Sequence, residues 1–196
     1  MKGRILMIIG SLMVIGFLYL PIWNITLEAP QYPIPLGLDI YITEFVGAND
    51  EFDIKNINLM NHYVGMQYIP ETIPEFAYFP IVIWFMIGLG VLFGVLGKYK
   101  LYFVWVVIMG ILGLLGMYDF YLWEYDYGHN LDPSAIMQFK NPDGSPMGFQ
   151  PPLIGTKLIL NFTAHSYPRI ATFILLGGMG INFLAFFVGK SEAKNN

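Results

Sequence analysis

Four uninterrupted apolar runs dominate the chain, at about residues 5–22, 78–96, 101–118 and 170–189. None contains a charged residue. At 1.5 Å of rise per residue, runs of this size span about 27–30 Å, the thickness of a bilayer's hydrocarbon core. They predict four transmembrane helices. The first run follows Lys2 and Arg4 as a signal peptide would. Its length, and the lack of a small-residue cleavage site at Leu20-Pro21-Ile22-Trp23, predict a retained helix instead.

Between the runs lie two polar intervals, residues 23–77 and 119–169, each far longer than an ordinary connection. Both contain period-two alternation. Leu38, Ile40 and Ile42 alternate with Asp39, Tyr41 and Thr43, and Lys157, Ile159 and Asn161 alternate with Leu158, Leu160 and Phe162. Each stretch predicts a half-buried strand. "YPIPLGLDIYITEF" (32–45) can be laid over "FQPPLIGTKLILNF" (149–162), but the few identities are no better than chance. The expected fold is a membrane all-α four-helix bundle, a single integral membrane domain over 1–196. Its two long outer loops form a small, partly β cap, with Ile40, Ile42, Leu158 and Leu160 buried between them.

Span three runs into a cluster of aromatics, Phe120, Tyr121, Trp123, Tyr125 and Tyr127. Such residues concentrate at membrane–water boundaries because they join an apolar ring to a polar edge. The helix should continue a turn or two into water with Asp119, Glu124 and Asp126, then end at Gly128 in a left-handed cap. Glycines recur at helical spacing in the spans: Gly90 and Gly94 as a GxxxG, then Gly110, Gly113 and Gly116. Small residues there permit close helix approach.

Composition reinforces the membrane reading: 56% of residues are hydrophobic and 12% charged, with a mean hydropathy of +0.55. Soluble domains carry about twice that share of charge. The net charge of −4 and the absence of any basic stripe argue against nucleic acid as a partner. With no cysteine, thiolate metal sites, CxxCH haem attachment and disulfides are excluded. Lys2, Arg4, Lys98, Lys100, Lys190 and Lys194 all flank one side of the predicted spans. The positive-inside rule puts that side, with both termini, in the cytoplasm and the long loops outside; large outer loops without disulfides suit a bacterial protein, whose inner membrane would place them in the periplasm.

The chemistry is sparser. The three histidines, His62, His129 and His165, all lie in the outer loops, so haem ligation within the bundle is not expected. "NLMNHYVGM" holds Met60, His62 and Met66, a thioether and imidazole set that suits Cu(I). If the stretch is helical, His62 and Met66 share a face. His129 is the next candidate ligand. Packed methionines and a hydrogen-bonded histidine would account for the same residues. The acid pairs Asp50/Glu51 and Glu124/Asp126 read as hydrated surface carboxylates, since no nucleophile or phosphate loop accompanies them. GxSxG, P-loop and HExxH patterns are absent, and no catalytic residues are assigned.

Several blocks together carry a resemblance: "LEAPQYP" (27–33), "NINLMNHYVGM" (56–66), "IPEF" (73–76), "YDYGHNLDP" (125–133), "QPPLIGTK" (150–157) and "NFTAHSYP" (161–168). In these the chain resembles small four-span bacterial membrane proteins associated with gene clusters for nitrous oxide reductase, a periplasmic copper enzyme. The resemblance implies an accessory protein that supports assembly or copper supply of that enzyme. It raises the copper reading of His62 and Met66 while leaving the cofactor open, and it implies a periplasmic or membrane protein as partner beside the lipid bilayer. The alternative is a non-catalytic structural or anchoring subunit of a membrane complex; a membrane subunit using quinone at the outer boundary is a third reading.

Overall fold

The computed structural model describes residues 1–195. Four helices are long and apolar enough to cross a membrane. The first is α1 (Lys2–Met13), which continues after a short break as α2 (Gly16–Tyr19). The others are α4 (Glu75–Leu96), α5 (Tyr99–His129) and α6 (Ile170–Glu192). A fifth helix of ordinary polarity, α3 (Asp53–Val64), belongs to the outer region.

Glycines set the bundle's packing. A Cβ on Gly10 would collide with the Gly178 carbonyl and the Asn182 side chain, and one on Gly3 would meet the Gly189 backbone. The α1 and α6 backbones therefore touch directly, as small residues allow in lipid. Gly90 and Gly94 lie against Ser11, Ile8 and the Arg4 carbonyl, so the GxxxG serves a contact with α1 of the same chain. Gly110, Gly113 and Gly116 face open space. Most polar groups inside the bundle find partners, as an interior without water demands, although Asn182 Oδ1 has none among the described residues. The Trp105 indole donates to the Met86 carbonyl (2.8 Å), Asn182 to Ser11 (3.2 Å), and Ser11 to the Met7 carbonyl (2.7 Å).

The N-terminus, the C-terminal end of α6 and the α4–α5 turn sit at one end. The Met1 ammonium pairs with Glu192 at 2.9 Å, Arg4 lies against Gly97, and Tyr99 packs on Gly189. At the other end is a five-stranded antiparallel sheet in the order β3-β2-β1-β5-β4. Its strands are β1 (Trp23–Glu28), β2 (Leu36–Ile40), β3 (Phe45–Gly47), β4 (Gly155–Ile159) and β5 (Phe162–Pro168). The two long loops thus share one sheet, joined where β1 pairs with β5 from Trp23↔Pro168 to Glu28↔Thr163. The buried Trp23 indole donates across this seam to Ser166 Oγ at 2.8 Å.

Three local expectations need correction. The stretch 157–162 is a hairpin, not one strand: β4 turns at Leu160, which has φ 55°, and returns as β5. Leu158 is consequently 70% exposed, while Ile159 and Ile42 are buried and Ile40 and Leu160 half-buried. Around β2 the alternation is blurred because Asp39 is also buried; it accepts from Asn24 Nδ2 at 2.7 Å and lies 3.5 Å from Arg169 Nε. Gly128 is no left-handed cap. It lies within α5, and its lack of a side chain lets the Gln150 backbone approach, with Phe149 N–H donating to its carbonyl at 2.8 Å.

Candidate functional site

Helix α5 outruns the membrane. Its 31 residues extend about 46 Å at 1.5 Å each, against a core of about 30 Å. The apolar run stops near Tyr118, and the next turns enter the outer domain. There Phe120, Trp123 and Tyr127 pack with Trp23, Ile25, Leu38, Ile57 and Ile69. Helix α3 closes one flank. It ends at Gly65, whose φ of 82° lets Met66 N–H return to the Asn61 carbonyl at 2.9 Å. That reversal sends Met66 back toward α5. Phe139, Phe149 and the β4–β5 hairpin close the opposite flank.

These elements surround a cavity of about 570 Å³, lined mainly by apolar side chains, including Ile25, Leu38, Met60, Met66, Trp123, Phe149 and Ile159. Two protonatable groups of α5 face it, Glu124 and Tyr127, both beyond the membrane-spanning segment. Glu124 is 1% exposed. Among the described residues, no protein donor reaches either of its carboxyl oxygens. Burial without compensation pushes this carboxyl up to about 8. The Tyr127 hydroxyl is also buried without a partner, and burial raises its phenol. Asn61 partly offsets that shift, but its amide donates to the Gln67 carbonyl (3.2 Å) and closes no hydrogen bond with the phenol. Buried polar groups are ordinarily paired. Two orphans on one wall of one cavity mark a surface made for something other than packing.

The metal candidates are split by this geometry. Met60 and Met66 line the cavity, and Met60 Sδ lies 3.6 Å from Gln31 Nε2. His62 is exposed outside it, its ring stacked on Tyr68 at 6.2 Å between centroids and 8° between planes. The helix ends at Val64, so the shared His62–Met66 face does not form. Asp132 lies near His62; its carboxyl is held below the usual range by the Ser134 hydroxyl (2.6 Å) and amide (2.8 Å), with His62 adding a smaller effect. His129 stacks on Tyr125 at 4.2 Å, its Nδ1 2.9 Å from the Tyr125 carbonyl, and its ring packs over Gly148. Among the described residues no three His, Asp or Glu side chains gather as a metal site. His165 lies on the sheet between Thr156 Oγ1 (2.8 Å) and Glu28 Oε1 (3.4 Å).

Glu124 is the largest correction to the sequence reading, which placed it in water. One signal does point to it. Phe120, Trp123 and Tyr127 continue an apolar stripe at i, i+3 and i+7 past the membrane run, and Glu124 sits beside that stripe. A helix leaving the bilayer with one apolar face is a helix about to be covered. No family model, no curated protein and no solved structure matches the chain.

Proposed function

We propose that this chain is an accessory integral membrane protein supporting assembly or copper supply of a periplasmic copper enzyme, the nitrous oxide reductase system. The placement of Lys2, Arg4, Lys98, Lys100, Lys190 and Lys194 supports cytoplasmic termini and a periplasmic sheet domain in a bacterial inner membrane. The resemblance of the sequence blocks at 27–33, 56–66, 73–76, 125–133, 150–157 and 161–168 to that group of proteins supports the link to the enzyme. One observation carries the copper part: the Met60 and Met66 thioethers line the same outer cavity as the Glu124 carboxyl. Soft thioethers favour Cu(I). His62 and His129, outside the cavity, are then secondary contributors.

The test is Cu(I) titration of the full chain in lipid nanodiscs against a chromophoric competitor. Wild type should take up one equivalent, Met60→Leu with Met66→Leu should lose it, and His62→Ala and His129→Ala should weaken it less. No uptake by wild type would end the copper reading. The alternative, an anchoring subunit without chemistry, is supported by the exposed Phe52, Leu59, Tyr63 and Tyr68 along and beside α3, an apolar patch suited to a partner protein. A photo-crosslinker at Tyr63 that captures one defined partner, with no copper bound, would favour it.

A further inference from the structure

A single ion leaves most of a 570 Å³ cavity unfilled, whereas small-molecule sites commonly run from about 300 to 1,000 Å³. The lining discriminates by charge. It contains no Lys, Arg or His, so a phosphate or carboxylate head would find no counter-charge and would face Glu124. It discriminates by shape as well. Phe149 and Trp123, whose ring already stacks with Tyr127 at 5.0 Å and Phe45 at 5.7 Å, join the thioethers of Met60 and Met66 in a wall that suits a flat ring, through edge and sulfur–aromatic contact. At the polar wall, the acid form of Glu124 and the Tyr127 phenol each offer an O–H to an acceptor oxygen; an ionised Glu124 would accept from a hydroxyl.

We propose that this cavity binds a neutral, apolar ring compound whose carbonyl or hydroxyl oxygen meets Glu124 and Tyr127, the chemistry of a quinone or its quinol. Such an oxygen gives both orphan groups a partner in either ligand form. Burial that keeps Glu124 largely protonated at neutral pH favours the carbonyl form and disfavours a cationic head. The location fits a ligand dissolved in lipid: Glu124 lies six residues beyond Tyr118, about 9 Å along the helix from the end of the apolar run. The inference goes beyond the accessory reading and does not depend on copper, because the oxygens of α5 fix it rather than the thioethers.

The experiment uses the full chain in nanodiscs, with empty nanodiscs as the partition control. Menadione and 1-naphthol are the neutral probes, and decanoate and dodecylamine the charged ones. Binding is followed by tryptophan quenching, assigned to the cavity with Trp123→Phe, and by equilibrium dialysis. Both neutral probes should bind saturably and decanoate should not. Glu124→Gln keeps a donor and an acceptor, so affinity should stay within about twofold. Glu124→Leu and the near-isosteric Tyr127→Phe should each weaken binding about tenfold, the equivalent of one hydrogen bond. Absence of saturable binding by wild type would overturn the proposal. So would wild-type affinity in both Glu124→Leu and Tyr127→Phe, or preferential dodecylamine binding that Glu124→Gln abolishes. Copper titration of the same samples keeps the two readings separable: retained ring binding without copper uptake sinks only the copper part.

Discussion

Two corners of the outer domain each bury a carboxyl, and they treat it oppositely. Where β3 meets α3, Asp53 is 2% exposed, and its Oδ2 accepts from the backbone N–H groups of Gly37 (3.1 Å), Asn49 (2.9 Å) and Asp50 (3.3 Å). Along the cavity, Glu124 is equally buried and accepts from no protein donor. The first carboxylate stands in for secondary structure, fastening the 47–50 turn to both β2 and α3. The second contributes nothing to the fold that a leucine would not contribute better. A desolvated, unpaired carboxyl costs stability, so its presence in the cavity wall is a statement about a bound partner.

If that contrast is right, Asp53→Ala should be the most damaging change. It strands one buried and two part-buried N–H groups, and a loss of about 2–4 kcal/mol is expected. Chemical denaturation followed by the tryptophan signal, with proteolysis of the outer domain, would show it; a loss under about 1 kcal/mol would erase the contrast. Gly128→Ala comes next. The added methyl meets the Gln150 backbone, which should cost about 1–3 kcal/mol and push the 149–150 segment off α5, so ring-probe binding should fall with stability.

Glu124→Gln should act in the opposite direction. The folded-state carboxyl is raised from its model-compound value of 4.5 to about 8. Below about pH 4.5 the group is protonated in both states and contributes no pH dependence. Between there and about pH 8 the unfolded chain ionises first, so wild-type stability falls as pH rises and levels off above the folded value. The amide removes that slope. Melting curves should coincide near pH 4 and separate by up to about 4 kcal/mol at pH 8, with the variant more stable. Parallel curves at every pH would place a compensating partner on the carboxyl. The smallest effect belongs to His62→Ala: an exposed ring on Tyr68 should change stability by no more than about 0.5 kcal/mol, and a larger loss would make His62 part of the fold.

The spans were legible because a bilayer imposes its thickness on local composition, and four charge-free runs meet that demand without reference to the rest of the chain. The sheet was legible only in fragments. Nothing local in "WNITLE" announces a strand whose partner lies over 130 residues away, because that pairing is set by where α1 and α6 leave the membrane together. Leu160 illustrates a different difficulty: an apolar residue at positive φ gives no turn signal, so a hairpin read as one strand. Gly128 was misassigned for a third reason. A glycine's left-handed conformation and its lack of bulk look identical in sequence, and only the neighbour that approaches Gly128 tells them apart. Met60 and Met66 stood out in the sequence, and the Glu124 that lines the same cavity did not, since Glu124 becomes interior only when another loop folds over it.

The β1–β5 seam also sets an order of manufacture. The first strand to emerge beyond the membrane, Trp23–Glu28, follows the first span; its partner, Phe162–Pro168, emerges only after three spans are laid down and just before the last. During synthesis the β1-β2-β3 half stands with one edge unpaired, open to any passing strand. The hairpin of the second loop arrives as the closing piece. Premature termination anywhere before residue 162 should therefore yield an aggregation-prone product rather than a smaller folded one, and arrival of the second loop beside the first becomes the step that commits the chain to its final form.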